Sequence, residues 1–128
     1  MNRATIRILF AAATSLAVIS VANAAPPTRT ATTSKGPTLT DSRGMSLYTF
    51  DKDSDGKSAC NGPCATNWPP LSVADNAKDM GAYTIIVRDD GKKQWAYKGW
   101  PLYYWTKDIK SGDKTGDGFN GVWKVARP

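Results

Sequence analysis

The feature that most constrains the fold of this chain is an internal duplication. Residues 44–68, which begin GMSLYTFDKD and end at Trp68, return as residues 99–123, which begin GWPLYYWTKD and end at Trp123. The offset is 55 residues throughout, and both blocks share Gly, Leu, Tyr, Lys and Asp besides the distant Trp. A unit of this size cannot bury its apolar face alone, so we expect the two copies to pack against each other.

Each copy has the residue pattern of short strands separated by turns. Leu47 and Tyr48 point to opposite faces of a strand, and the aromatic face is the better candidate for the shared core. Glycines and prolines interrupt every apolar run, which disfavours helices and indicates hairpin turns at residues 90–91 and 98–99. We therefore predict an all-β fold, a small antiparallel domain of two pseudo-equivalent units joined by a less regular stretch at residues 69–81.

The N-terminal region is typical of an exported protein. Residues 1–24 combine two arginines, an apolar run and a small-residue cleavage site, which predicts a signal peptide that is removed. Residues 25–37 are polar and Thr-rich without apolar periodicity, so we expect a flexible leader before a domain at residues 38–128. The mature chain has no apolar run long enough for a transmembrane segment, and we expect a soluble periplasmic or extracellular protein.

The composition removes most enzymatic mechanisms. The chain has no His, and all 11 acidic residues are Asp. Without His there is no Ser-His or Cys-His nucleophile pair and no ordinary proton shuttle near neutral pH. Catalysis by Asp alone is the remaining route, so we expect a non-enzymatic protein. The basic residues are scattered and accompany no nucleic-acid-binding motif, so we expect no nucleic-acid partner.

Both copies carry the motif Tyr-x-(Phe/Trp/Tyr)-x-x-Asp. This motif, with the surrounding KSACNGPCATNWPPL and DGKKQWAYKGWPLYYWTKD, resembles a bacterial secreted-repeat family that includes many predicted lipoproteins. The resemblance spans residues 38–128 and implies export, with no biochemical function assigned to the family. The lipid-bearing Cys of the lipoprotein members is missing, which leaves export without tethering. The motif residues are Tyr48, Phe50, Asp53, Tyr103, Trp105 and Asp108.

The two cysteines, Cys60 and Cys64, are separated by three residues. Thiols of exported proteins normally oxidise, so we predict a short-range structural disulfide, with a redox dithiol or a metal pair as the alternatives. Disulfide oxidoreductases usually place two residues between their cysteines at the start of a helix, and no helix is predicted here. The positions equivalent by the 55-residue offset are Thr115 and Phe119, so one copy alone has the disulfide.

An acidic turn follows the first motif. Asp51, Asp53 and Asp55, followed by Gly56, copy the start of a calcium-binding EF-hand loop. The twelfth loop position, which should be Glu, is Gly62, and flanking helices are not predicted. A solvated turn is therefore the main interpretation and calcium the alternative, and no other cofactor is predicted.

Asp53 and Asp108 are the acidic residues that occur in both copies. A carboxylate after a strand accepts hydrogen bonds from the backbone of the next turn or from a Tyr hydroxyl, and so would fix the loop that leads to the Trp. We therefore predict a structural role for both. Paired carboxylates also cleave glycosides when held at a suitable separation, and the sequence alone provides no distance.

Aromatic side chains are concentrated between residues 95 and 105. Some would supply the core, whereas exposed rings could bind sugars or another protein at low entropic cost. We accordingly expect an envelope protein that binds an envelope polymer or a protein partner. The alternative is a calcium- or redox-linked periplasmic accessory protein. The candidate ligand surface consists of Trp95, Tyr97, Trp100 and Tyr104.

Overall fold

The computed structural model describes residues 25–128, so the predicted signal peptide lies outside the described residues and stays a prediction. The described residues form seven short strands, one five-residue helix and one 310 turn, which confirms the predicted all-β class. No helix among them has the length and apolar character needed to cross a bilayer. The elements are β1 (Arg29–Thr33), β2 (Gly36–Thr40), β3 (Tyr48–Phe50), α1 (Pro63–Asn67), β4 (Tyr83–Val87), β5 (Lys93–Tyr97), β6 (Trp100–Pro101), the 310 turn (Phe119–Gly121) and β7 (Trp123–Val125).

The first hairpin lies largely within the segment expected to be a flexible leader. Strand β1 pairs with β2 along its whole length, and Gly36 closes the turn with a φ of 91° that favours glycine. The Thr-rich β1 is mostly exposed, which is why residues 25–37 show no apolar periodicity, while β2 buries Leu39. The folded domain therefore begins with β1 rather than near residue 38.

The second hairpin repeats the first. Strands β4 and β5 pair in antiparallel register, and β6 adds to β5 as a third strand. Both turns expected from the sequence are present. Gly91 has a φ of 82° between β4 and β5, and Lys98 and Gly99 have φ of 48° and 83° between β5 and β6. Two successive left-handed residues are the requirement of a two-residue type I′ hairpin turn.

The two repeats exchange strands at the centre of the molecule. Strand β3 of the first repeat pairs with β7 of the second, in the register Phe50–Trp123. The equivalent of its Tyr48–Val125 pair is the bridge between Tyr103 of the second repeat and Pro70 of the first. Tyr48 and Tyr103 lie opposite each other, and each backbone N–H donates to the other's carbonyl at 2.8 and 3.0 Å. Neither repeat completes its sheet without the other.

A stack of four aromatic rings forms the first core. Trp68 and Trp123, which occupy equivalent positions, lie parallel with ring centroids 3.8 Å apart. Phe50 stacks on Trp123 at 4.2 Å and its counterpart Trp105 stacks on Trp68 at 4.0 Å. The motif tyrosines pack edge-on against the central pair, Tyr48 being 5.3 Å from Trp68. Such aromatic contacts add to the stability that the core gains from burying apolar area.

The opposite strand face is buried as well. Leu47 and Leu102 have no exposed surface and pack with Leu39, Leu71 and Trp95 in a second core. The aromatic face expected to form the shared core does so, but the leucine face is equally covered. Both hairpins fold over the central strands, and the domain therefore has apolar clusters on both sides of those strands.

Candidate ligand-binding groove

The surface feature best suited to a ligand is a groove between the β3–β7 pair and the β5–β6 turn. It encloses about 390 Å³, which is within the range of small-molecule sites. We call it the binding groove. The side chains that give it its chemistry are Asp51, Tyr97, Lys98, Trp100, Lys124 and Arg127.

The β5–β6 turn places two aromatic rings at the groove. Trp100 is 42% exposed, so a large part of its ring is open to a ligand. Tyr97 is half-buried, and the ammonium of Lys98 lies 5.2 Å from the centre of its ring. The left-handed backbone at Lys98 and Gly99 is what turns β6 back beside β5 and pairs Trp100 with Tyr97. The two rings therefore belong to one rigid turn.

The opposite wall carries charges supplied by the C-terminal strand. Lys124 forms an ion pair with Asp51 at 3.3 Å, both being partly exposed. Asp117 accepts a hydrogen bond from the backbone N–H of Val125 at 3.0 Å. The Nη1 atom of Arg127 donates to two carbonyls of the first hairpin turn, at 2.7 and 3.2 Å. The C-terminal segment thus brings the second repeat against the first hairpin at this groove.

The groove has no chemical equivalent in the other half of the molecule. Applying the 55-residue offset places Met45 opposite Trp100, Pro69 opposite Lys124, and Ser72 opposite Arg127. The exposed ring and both C-terminal cations are therefore found at one side of the pseudo-symmetric domain and not at the other. Lys98 is the exception, since its counterpart Arg43 is also basic.

The four residues of the sequence-predicted ligand surface do not lie together. Tyr97 and Trp100 line the groove, but Trp95 is 7% exposed and packs in the second core. The Tyr104 hydroxyl donates to Asp41 at 2.9 Å. Burial and this carboxylate raise the pKa of Tyr104 to about 12.

A second depression, of about 530 Å³, lies beside Trp95 and the irregular segment 71–77. It is larger than the binding groove but contains no basic side chain and no exposed ring. Its volume alone gives a ligand little to recognise, because specificity needs convergent polar groups. We therefore take the smaller groove as the candidate site.

The motif carboxylates form crossed hydrogen bonds between the repeats. The Tyr48 hydroxyl of the first repeat donates to Asp108 of the second at 2.6 Å, and the Tyr103 hydroxyl donates to Asp53 at 2.7 Å. Each carboxylate also accepts a hydrogen bond from a backbone N–H of the following loop. Asp53 accepts it from Ala59 at 2.7 Å, and Asp108 accepts it from Thr115 at 3.0 Å. These are the two interactions that the strand-end position predicts, and the Tyr comes from the other repeat in both cases.

One of the two crossed pairs extends into a buried polar network that the sequence does not reveal. Arg88 is 4% exposed, and its Nη1 donates to Gln94 at 2.7 Å and to Ser58 at 3.0 Å. The Ser58 hydroxyl is 2.7 Å from that of Tyr103. Burial raises the pKa of the Asp53 carboxyl, and it outweighs the opposing hydrogen bonds from Ala59 and Tyr103 and the Arg88 charge. Within residues 25–128 the hydrogen bonds of this buried guanidinium go to neutral acceptors, and its Nε is left without a partner.

The predicted disulfide between Cys60 and Cys64 is present, with the Cα atoms 5.2 Å apart. Cys64 lies at the second position of α1, a short helix that begins at Pro63 and that was not expected from the sequence. Proline is favoured at the first position of a helix, because a backbone N–H there would have no partner within the helix. The disulfide closes the loop after the acidic turn, and the carbonyl of Cys60 accepts a hydrogen bond from Nη2 of Arg88.

The acidic turn does not gather its carboxylates. Asp51 pairs with Lys124, whereas both oxygens of Asp53 accept hydrogen bonds inside the protein. Asp55 is exposed, with a left-handed φ of 41°. Across residues 25–128, no group of three or more potential ligands is positioned to hold a metal ion. Asp51 and Asp53 thus serve different contacts, and Asp55 faces solvent.

Comparison with known families matches both repeats. The matching family model is that of a secreted repeat of unknown function, and it covers residues 29–72 and 84–127. The two matches are offset by 55 residues and include the hairpins β1–β2 and β4–β5, so the repeat is longer at both ends than the cores at residues 44–68 and 99–123. Comparison with curated proteins and with solved structures gives no match. Because the family model matches more than half of the chain, the chain belongs to the family described as a secreted repeat of unknown function.

Proposed function

We propose that this exported chain is a non-enzymatic envelope protein, periplasmic or extracellular, that binds a polysaccharide in the binding groove. The observation that carries the proposal is the exposed Trp100 beside the half-buried Tyr97, set between charged side chains. The flat apolar face of a ring covers the apolar face of a sugar, while charged groups at its edge bind hydroxyl and carboxylate groups.

The distribution of apolar surface favours a sugar over a protein partner. The large apolar side chains that are exposed within residues 25–128 are Val87, Trp100, Ile109 and Phe119, and of these only Trp100 lines the groove. A stable protein interface usually has a fully buried apolar or aromatic centre. A single ring surrounded by charges suits a smaller and more polar ligand.

The test is a binding measurement with the purified exported protein against envelope polysaccharides, including peptidoglycan fragments. We expect saturable binding that falls by about tenfold or more in Trp100→Ala, because the ring supplies most of the apolar contact. Ile109→Ala is the matched control, since Ile109 is 88% exposed and lies outside the groove. Circular dichroism would verify that both variants keep the fold.

Two results would overturn the proposal. One is polysaccharide binding that is equally strong in Trp100→Ala and in the wild type. The other is the absence of polysaccharide binding together with specific capture of a protein partner by the same surface.

A further inference from the structure

We propose that the ligand of the binding groove is a polysaccharide whose sugar rings carry carboxylates. This inference rests on the proposed function and adds the charge of the ligand to it. The argument depends on which charged groups of the groove are already compensated within the protein.

The carboxylates of the groove have partners inside the protein. Asp51 faces Lys124 at 3.3 Å, and Asp117 accepts the N–H of Val125 at 3.0 Å. The Asp51–Lys124 pair contributes no net charge. These groups can orient sugar hydroxyls, but they add little net attraction for a cationic ligand.

Two cations of the groove are not compensated by a carboxylate. Neither Lys98 nor Arg127 forms an ion pair within residues 25–128. Lys98 lies over the ring of Tyr97, which leaves its charge intact. With three cations and two carboxylates, Asp51 and Asp117, the groove has a net charge of +1.

Arg127 is held in a geometry that suits a carboxylate. Its Nη1 donates to the carbonyls of Lys35 and Pro37, which fixes the guanidinium at the rim. Neither Nη2 nor Nε takes part in those two bonds. A guanidinium edge with free donors matches the two oxygens of a carboxylate, and an anchored side chain loses less entropy when it binds.

The ring platform and the cations lie in one groove, so a single ligand would meet both. The β5–β6 turn supplies Trp100 and Lys98, and the segment after β7 supplies Arg127 from the facing wall. A neutral glycan would use the rings and leave the cations uncompensated. A uronate-type ring offers an apolar face to Trp100 and a carboxylate to Arg127 at once.

The experiment compares polymers with and without the charge of their carboxyl groups. The probes are alginate, polygalacturonate and hyaluronate, each paired with its carboxyl-esterified form, titrated against the purified exported protein at low and at high salt. We expect each acid form to bind on the order of tenfold more tightly than its ester at low salt, because two cations a few ångströms from a carboxylate each add a modest attraction. The preference should fall at high salt, where exposed charges are screened.

Matched variants locate the effect. Arg127→Gln should remove most of the preference for the acid form while binding of the ester stays within about twofold of the wild type. Lys107→Gln lowers the net charge equally but changes an exposed side chain outside the groove, and it should leave the preference unchanged. A preference that falls equally in both variants would indicate a general charge effect and overturn the inference.

The failures of the two proposals are distinguishable. If acid and ester forms bind equally and Trp100→Ala abolishes both, the inference is wrong and the proposed function stands. If none of the six polymers binds, the inference is wrong. If no peptidoglycan fragment or other envelope polysaccharide binds either, the proposed function is wrong as well.

Discussion

The crossed hydrogen bonds between the repeats provide the most direct test of how this fold is stabilised. Replacing Tyr48 with Phe removes one hydroxyl that donates to Asp108 at 2.6 Å and leaves the ring packed edge-on against Trp68 in the core. Asp108 keeps two further donors, the backbone N–H and the hydroxyl of Thr115, at 3.0 and 2.6 Å. The Asp108 carboxylate therefore loses one hydrogen bond but keeps its other donors.

The size of the loss follows from the charge of the acceptor. A hydrogen bond to a charged group contributes about 1.5–3 kcal/mol, and the remaining donors limit the penalty at Asp108, so we expect about 2 kcal/mol for Tyr48→Phe. For a domain of this size, that corresponds to a decrease in Tm of roughly 10 °C. Each hydroxyl has a second partner, which is the backbone N–H of Gly116 at 3.3 Å for Tyr48 and the Ser58 hydroxyl at 2.7 Å for Tyr103. Tyr103→Phe should be more damaging, at about 3 kcal/mol, because its second contact is shorter and Ser58 also binds the buried Arg88.

Urea denaturation of the wild type and both variants measures these differences, and a double-mutant cycle with Asp108→Asn isolates the coupling to Tyr48. The pH dependence adds a second readout. Burial, with a contribution from Asp108, raises the pKa of Tyr48 well above its ordinary value of 10.0. A group whose pKa is raised on folding contributes its stability in full below the unfolded pKa and loses it above, so the gap between wild type and Tyr48→Phe should narrow as the pH rises beyond about 10.

The reasoning would be refuted by losses below about 0.5 kcal/mol in both variants, since exposed or unimportant hydroxyls give such values. It would also be refuted if Tyr48→Phe were more damaging than Tyr103→Phe, because the network around Arg88 would then contribute nothing through Tyr103.

Three further outcomes are expected. Gly116→Ala should lower the free energy of unfolding by about 1–3 kcal/mol, measured by urea denaturation, because an added Cβ would lie 2.7 Å from Trp68 and 3.0 Å from Trp105. An unchanged denaturation midpoint would contradict this packing. Reduction of the Cys60–Cys64 disulfide should lower stability by about 2 kcal/mol, measured as Tm with and without a phosphine reductant, and no change would show that the loop is held by other contacts. Excess calcium should leave Tm unchanged, because Asp53 is bonded inside the protein and Asp51 is paired with Lys124, which leaves Asp55 alone at the surface. A calcium-dependent increase would support the metal site instead.

The duplication could be predicted from the sequence because it needs only residue identities at a fixed offset. The crossing of the repeats could not, since the offset shows that Asp53 and Asp108 are equivalent but does not say which Tyr binds them. The exposed β1 was missed for a related reason. A strand that buries little has no apolar alternation, and its pairing partner β2 supplies the burial.

The buried Arg88 and Gln94 had a sequence signal that becomes visible once the repeat is extended to the hairpins. Arg88, just after β4, is equivalent to Thr33, and Gln94 in β5 is equivalent to Leu39, so a charged and a polar side chain replace a smaller and an apolar one in this hairpin. The groove was found in part, through Tyr97 and Trp100. Its other wall comes from the C-terminal strand, which the local concentration of aromatics could not indicate.

The crossed contacts explain why shared and unshared positions lie in different parts of the molecule. Each motif Tyr binds the carboxylate of the other repeat, so a change at Asp53 in one repeat removes the partner of Tyr103 in the other. Positions in the central stack and in the crossed pairs are therefore constrained by both repeats at once. The groove side chains Trp100, Lys124 and Arg127 reach solvent, so they can differ from their counterparts without disturbing the pseudo-symmetric core. A ligand site on such a scaffold is expected where the surfaces of the two repeats differ in chemistry, and the binding groove meets that condition.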